Sequence, residues 1–201
     1  MTNDGKIKII EAARTIMSEQ GIKGATIREI AKKAGVSTGA IYHYYDSKEA
    51  VLYDVMDEGL GEIKRIATVS LQDQKKFQEI IQEIFNGMQE RFKKDEENRL
   101  QFYLAHEAIL GNEELKHKFK EKYEDWINRV EDIFVQAYHT QHGPLTKAAA
   151  TWTMAAIDGM VLQILLQTNT VEITHINQVL EFLLSEGFSH FFKIIKESPE
   201  Q

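Results

Sequence analysis

The sequence has 201 residues, of which 43% are hydrophobic, 27% are charged and only two are prolines, a composition that favours a helix-rich globular protein and excludes a disordered chain. Cysteine is absent, which excludes disulfide bonds and thiolate metal sites and favours a reducing cytoplasm. The formal net charge of −7 argues against a nucleic-acid partner, but residues 1–50 carry eight basic and six acidic residues, so this basic end is the candidate DNA face.

The first 50 residues predict three helices separated by tight turns. Apolar residues recur at three- and four-residue spacing over Lys6–Gln20, which predicts a first helix that Gly21 ends. The pattern Thr26-x-x-Glu29 fits a capping box, so a second helix is expected to start at Thr26 and to end near Gly35. A short third helix is expected from about residue 37 to residue 45.

A fourth helix is predicted to follow the N-cap candidate Asp46-Ser47 and to run to about Ala67. Gly59 and Gly61 weaken this helix, and we expect it to bend there as a lever between the N-terminal module and the rest of the chain.

The remainder predicts long helices only. Breaks rich in turn formers or charge fall at residues 72–75, 94–98, 111–112, 139–144 and 169–172. The segments between them carry helical periodicity and show no sustained alternation of period two. The fold class is therefore all-α, with about nine helices in total.

Residues 26–48, TIREIAKKAGVSTGAIYHYYDSK, have the pattern of a helix-turn-helix. Gly35 supplies the tight turn, and Ile41 is expected to pack between the two helices. Gly39 would cost about 1 kcal/mol relative to alanine inside a helix, which is understandable where the backbone approaches DNA closely. The alternative is an ordinary corner of two packed helices, but the four consecutive aromatic residues 42–45 cannot all face inward at 100° spacing.

Together with the first helix, this stretch resembles the TetR family of bacterial regulators. The family's recognition region typically reads Gly-Val-Ser, variable positions, Tyr-x-x-Phe and then Ser-Lys-Glu. Matching residues are Gly35-Val36-Ser37, Tyr42 and Ser47-Lys48-Glu49, and Tyr45 stands where the family usually has phenylalanine. The resemblance covers residues 6 to about 56. It implies an N-terminal helix-turn-helix DNA-binding domain at residues 1–47 and a larger helical ligand-binding and dimerisation domain at residues 48–201.

The resemblance also implies roles on DNA. Thr26 and Lys48 would contact phosphates, helped by the Tyr42 hydroxyl and by the starts of helices two and three, the third of which begins at Ser37. Candidates for the bases of the major groove are Thr38, Gly39 and His43. Tyr44 is placed to reach a phosphate, and Arg28 a base or a phosphate.

A small-molecule site is expected among the helices of the larger domain. Asp158 lies in an apolar helix, so it must pair, donate or accept a hydrogen bond, or face a cavity. It is a candidate ligand-binding acid, and a hydrogen bond between helices or across a dimer interface is the alternative. Candidate pocket residues are Phe102, Tyr103, His106, Glu107, Trp126, Trp152, Asp158 and Met160, and most could equally belong to the core.

Two C-terminal helices, predicted at about Thr146–Gln167 and Thr174–Lys196, have apolar stripes too wide to bury in one small bundle. They predict a two-fold four-helix interface in a homodimer. Candidate interface residues are Trp152, Ala156, Leu162, Leu166, Leu180, Leu184, Phe188 and Phe191.

The expected function is therefore that of a transcriptional repressor that a small lipophilic or amphipathic effector releases from an inverted-repeat operator on double-stranded DNA. The alternative is a DNA-bound scaffold whose helical domain engages a protein partner. A helical enzyme that contains a helix-turn-helix would need Asp158, Glu107 and a histidine to converge in one cleft.

Neither an enzyme nor a cofactor is expected, because no phosphate-binding loop, nucleophile elbow or His-Glu-x-x-His pattern occurs. His139-x-x-His142 has metal-like spacing but no third ligand nearby in sequence, so no metal site is expected. The start MTNDGKIKII is not that of a signal peptide, and no run of about 18 apolar residues occurs. We therefore expect a cytoplasmic protein without a membrane partner.

Overall fold

The computed structural model of the protein describes residues 3–61 and 76–197, and in those ranges the secondary structure is helical, without strands. The helices are α1 (Asn3–Gly24), α2 (Ile27–Ala34), α3 (Thr38–Tyr42), α4 (Lys48–Gly59), α5 (Phe77–Lys93), α6 (Asp95–Ile109), α7 (Glu113–Tyr138), α8 (Pro144–Leu166), α9 (Ile173–Phe182) and α10 (Phe188–Glu197). A π-helical turn (Leu183–Gly187) joins α9 to α10 without a break. If α9, the π-helical turn and α10 are counted as one continuous helix, the described residues form nine helices, as predicted.

One compact unit comprises Met1–Leu60 and Lys94–Phe119. Its core forms where α1 packs on α2 and α4, and where α4 packs on α6. Ile9, Ile30, Ile41 and Leu52 are completely buried there. This compact unit extends beyond residue 47 and includes α6. The division of the chain into a DNA-binding domain at residues 1–47 and a ligand-binding domain at residues 48–201 stays a prediction.

The ends of α1 and α4 follow from glycines. Gly21 has φ 74° and ψ 172°, which interrupts helical geometry one residue after the predicted end of the first helix. α4 ends at Gly59, and its Leu60 cap donates its amide to Met56 O, so the fourth helix is shorter than predicted. Residues 62–67 of the predicted helix lie outside the described residues.

The second unit comprises Gly61–Lys93 and Lys120–Gln201. Within it, α5 packs against α8 and against the π-helical turn. An aromatic core formed by Phe134, Tyr138, Phe188 and Phe192 lies between α7 and α10. The Tyr138 hydroxyl donates to Leu184 O at 2.5 Å, which fastens α7 to the π-helical turn.

Among the described helices, α8 alone is long and apolar enough to cross a membrane by length and composition, and 33% of its most apolar window is buried. Lys147 and Asp158 interrupt this helix, so the finding does not contradict the expectation that no run of about 18 apolar residues occurs. The same properties belong to a helix that is covered on one side by its own chain and on the other by a partner.

Candidate nucleic-acid interface

The turn between α2 and α3 has the geometry that the sequence predicts. Thr26 caps α2, since its Oγ1 accepts a hydrogen bond from Glu29 N at 3.2 Å. Gly35 follows α2 in the left-handed conformation, with φ 68° and ψ 32°, where a side chain would be strained. Ser37 then caps α3 by accepting from Ala40 N at 3.0 Å. The two caps and the left-handed Gly35 therefore define the turn between α2 and α3 through local contacts.

α3 has one buried face and one exposed face. Ile41 is fully buried against α2, and Tyr45 just after the helix is 6% exposed. The predicted contact residues Thr26, Arg28, Ser37, Thr38, Gly39, Tyr42, His43 and Tyr44 are all exposed, whereas Lys48 is half-buried. The structure therefore brings the predicted DNA-contacting residues of α3 together on a free surface.

The two capping hydroxyls have a second use. Each accepts a backbone N–H within its own helix, and each keeps its own O–H as a donor. Because Thr26 and Ser37 are exposed, these hydroxyls are placed to donate to a phosphate oxygen without giving up the cap.

Tyr44 packs at the junction with the first helix. Its ring meets His43 edge to face at 5.4 Å between centroids. Its hydroxyl lies beside Gly5 of α1, where a Cβ would come within 2.8 Å of the hydroxyl oxygen. The small residue at position 5 thus allows Tyr44 to occupy this place.

Tyr45, the departure from the family pattern, has a partner for its hydroxyl. It donates to Asp54 Oδ2 of α4 at 3.1 Å, and Lys6 Nζ of α1 lies 2.6 Å from the same oxygen. Burial raises the pKa of Tyr45, and the neighbouring Asp54 carboxylate raises it further. The hydroxyl therefore stays protonated and ties the end of the α3 segment to α1 and α4.

Lys48 points toward α6. Its Nζ lies 5.7 Å from the centre of the Tyr103 ring and 3.8 Å from Glu49 Oε1. Tyr103, which the sequence assigned to the ligand pocket, thus contacts a predicted DNA-contacting residue.

The other predicted pocket residues are spread over both units. Phe102, His106 and Glu107 lie on α6, and the His106 side chain is 65% exposed. Trp126 is buried on α7, where its ring meets Tyr123. Trp152 and Met160 line two different apolar depressions, of about 400 and 290 Å³. That these residues form one ligand pocket stays a prediction.

Asp158 is engaged within its own unit. It accepts a hydrogen bond from the Tyr123 hydroxyl of α7, and its Oδ1 lies 3.7 Å from Arg91 Nη2 of α5. Of the two alternatives raised for this acid, the contact between helices is the one the structure shows.

The predicted dimer residues lie mostly on an exposed apolar face of α8, α9 and α10. Trp152, Ala156, Leu162, Leu166 and Phe191 are exposed, and Leu180 and Phe188 are half-buried. Leu184 is completely buried in its own chain, so it belongs to the core and is removed from the predicted interface. Its position in the π-helical turn, which shifts the side-chain register, explains the difference.

An N-terminal three-helix head with an exposed recognition helix defines a helix-turn-helix DNA-binding protein. Residues 9–55 match the family model described as "Bacterial regulatory proteins, tetR family". The N-terminal part of this chain is therefore similar to the DNA-binding region of TetR-family transcriptional regulators.

Two relatives differ in how much of the chain they cover. The fatty acid metabolism regulator protein of Bacillus subtilis (strain 168) is 24% identical over 183 residues, which are 89% of this chain and 93% of that protein. The transcriptional repressor KstR2 of Rhodococcus jostii (strain RHA1) is 30% identical over 70 residues, and the match spans about a third of each protein.

Among solved structures, the fatty acid degradation regulator FadR from Bacillus halodurans has the same fold. Its TM-score is 0.68 at 22% identity, and the alignment covers 93% of this chain and 97% of that one.

Four site residues escaped sequence reasoning. Asp54, Arg91 and Tyr123 were not singled out, and Tyr103 was assigned to a different site. Tyr45 in place of phenylalanine signalled that a polar partner was needed, but the partners of Lys48 and Asp158 carry no local signal.

Proposed function

We propose that the chain is a cytoplasmic, homodimeric transcriptional repressor and not an enzyme, and that an effector releases it from an inverted-repeat operator. The carrying observation is the exposed face of α3, with Thr38, Gly39 and His43 presented on a helix that Ile41 anchors. In this proposal residues 1–47 read DNA, and residues 48–201 bind the effector and the second subunit.

The division of labour follows from exposure and chemistry. Thr38 and His43 offer donors and acceptors that can read base edges, and Gly39 lets the backbone approach them. Thr26, Ser37, Tyr42, Tyr44 and Lys48 offer hydroxyls and a cation for phosphates, which set position and affinity. Arg28, exposed on α2, reaches a base or a phosphate.

The second subunit is proposed to cover the apolar face of α8, α9 and α10. Trp152 and Leu166 are 56% and 61% exposed on this face, a large apolar area for a monomer to leave in water. A two-fold pair of such faces would form a four-helix interface and place two recognition helices about 34–36 Å apart, in successive major grooves.

The effector is proposed to bind in the second unit. Two of the proteins that align along most of the chain are named for fatty acid metabolism or degradation. Arg91, Tyr123 and Asp158 provide a polar cluster among apolar helices, the combination that binds an amphipathic molecule. Fatty acids are therefore the first effectors to test.

Fluorescence anisotropy on a labelled operator duplex, selected from random DNA, tests this function at about 0.15 M salt. A fatty acid should release the duplex. His43→Ala and Thr38→Ala should each lower discrimination between operator and scrambled DNA, by about 1–3 kcal/mol for every base that the variant no longer reads. Lys48→Met should weaken binding to both duplexes equally. Binding that no lipophilic compound reverses would favour the scaffold that engages a protein partner.

A further inference from the structure

The contact between Lys48 of α4 and Tyr103 of α6 gives α6 a part in DNA binding. We propose that Tyr103 is a positioning residue whose ring holds the Lys48 ammonium in place for a DNA phosphate. This inference rests on the proposed function, in which Lys48 contacts the DNA backbone.

Lys48 occupies an electrostatically unfavourable place. It is the first residue of α4, and the amide end of a helix repels a cation. Two groups offset this repulsion, the Glu49 carboxylate at 3.8 Å from Nζ and the Tyr103 ring, whose centre is 5.7 Å from it. The Lys48 side chain is only 24% exposed, so its position is set by its neighbours.

α6 is fastened against α4, so the ring has a defined position. Lys94, just before α6, donates from Nζ to Gly59 O at the end of α4, at 2.5 Å. Glu97 lies so close to Gly59 that a Cβ on residue 59 would collide with its Cγ. Arg14 of α1 reaches both Glu58 and Glu97, at 3.4 and 3.9 Å.

A ring is well suited to hold a lysine that must also bind phosphate. An aromatic face attracts the ammonium without accepting a conventional hydrogen bond, so N–H donors stay available for a phosphate oxygen. A lysine held in this way loses less side-chain freedom when DNA binds, which favours binding. A carboxylate within hydrogen-bond distance would compete with the phosphate instead, and Glu49 Oε1, at 3.8 Å from Nζ, lies beyond that distance.

The arrangement links DNA affinity to the position of α6. A single residue, Lys94, separates α6 from α5, which belongs to the second unit. A shift of α6 along α4 would withdraw the Tyr103 ring from Lys48 without disturbing the base-reading residues of α3. The expected consequence is weaker binding to all sequences, with discrimination unchanged.

A double-mutant cycle on the full-length protein tests the proposal, with affinity for the selected operator measured at several salt concentrations. Tyr103→Leu should weaken binding about two- to fivefold for each Lys48 in the complex. Tyr103→Phe, which keeps the ring, should bind like the wild type. Lys48→Met should reduce the salt slope by about 1 per subunit. With Lys48→Met already present, Tyr103→Leu should have no further effect.

The control is Lys118→Met, because Lys118 makes the same kind of contact with the Tyr53 ring, at 5.4 Å, in the same unit. It should leave the salt slope unchanged. Tighter binding by Tyr103→Leu, or an equal loss whether Lys48 is present or not, would overturn the positioning role. A wild-type protein that binds no DNA sequence selectively would instead overturn the proposed function.

Discussion

At the scale of the single residue, Tyr45 shows how a polar group is accommodated in the head. Its hydroxyl and Lys6 meet on the same oxygen of Asp54, so three segments of the chain share one carboxylate. Tyr45→Phe removes the hydroxyl but leaves the ion pair between Asp54 and Lys6. It should therefore destabilise the protein less than removal of the Asp54 carboxylate would.

Tyr45→Phe is expected to lower the free energy of unfolding by about 1 kcal/mol at pH 7. Because the pKa of Tyr45 is raised in the folded protein, the unfolded chain loses this proton first as the pH rises past 10.0, and wild-type stability falls there. The difference between the two proteins should therefore shrink by about 1.4 kcal/mol per pH unit above that point.

Urea unfolding at pH 7 and pH 11 measures this difference. Tyr42→Phe is the control, because Tyr42 is exposed and removal of its hydroxyl should leave stability unchanged. A difference between wild type and Tyr45→Phe that is as large at pH 11 as at pH 7 would contradict the raised pKa.

Residues whose roles depend on near neighbours were predictable, and those with distant partners were not. Thr26 and Gly35 act on groups within four residues, so the sequence pattern contains both partners. Lys48 meets Tyr103 and Tyr123 meets Asp158 only because separate helices pack together. Residue type alone does not reveal such pairs.

At the scale of the element, α3 depends on its cap. A helix of five residues has little cooperativity, so the bond from Ala40 N to Ser37 Oγ supports a large share of it. Ser37→Ala should lower stability by about 1 kcal/mol and weaken operator binding. Ser37→Asp should keep the cap but repel phosphates.

Thermal unfolding and operator affinity, measured on both variants, separate these effects. Ser37→Asp is expected to be as stable as the wild type and to bind DNA more weakly than Ser37→Ala. A Ser37→Ala variant that is as stable as the wild type would show that the hydroxyl has no capping role.

The Arg91–Asp158 pair fastens α5 to α8. Asp158→Leu should lower stability by about 3 kcal/mol because it leaves the guanidinium buried without this carboxylate. The double variant Arg91→Met/Asp158→Leu should regain most of that loss, since apolar side chains of similar size can replace a buried pair. Urea unfolding of the single and double variants tests this, and additive losses would contradict the coupling.

Element boundaries were predicted well wherever a turn former marks them. The breaks at Gly111-Asn112 and before Pro144 lie where the sequence placed them, whereas the break predicted at residues 94–98 is Lys94 alone, because α6 starts at Asp95. The predicted end of the fourth helix was wrong because the apolar pattern in the sequence continues past Gly59. In the structure α4 ends at Gly59, which contacts Lys94 and Glu97, residues far away in sequence. The π-helical turn has no sequence signature, so Leu184 was assigned to the wrong face.

At the scale of the whole molecule, the apolar face of α8, α9 and α10 is proposed to hold two chains together. Trp152→Lys/Leu166→Lys should convert the dimer to a monomer, because burying two cations in an apolar interface is costly. Glu124→Lys, at an exposed position on α7, is the control. Light scattering coupled to size exclusion measures the mass.

Operator affinity should fall with the loss of the dimer, since one head alone gains nothing from the tethered second head. A double variant that remains dimeric would place the interface elsewhere on the molecule.

Selection of binding sites from random duplex DNA, read by sequencing at about 0.15 M salt, tests the central claim most directly. We expect an enriched inverted repeat whose half-sites are centred about 10–10.5 base pairs apart, or a multiple of that spacing. His43→Ala or Thr38→Ala should change the preferred bases within each half-site. No enrichment above background, or a single half-site without a repeat, would contradict a dimer that reads DNA through α3.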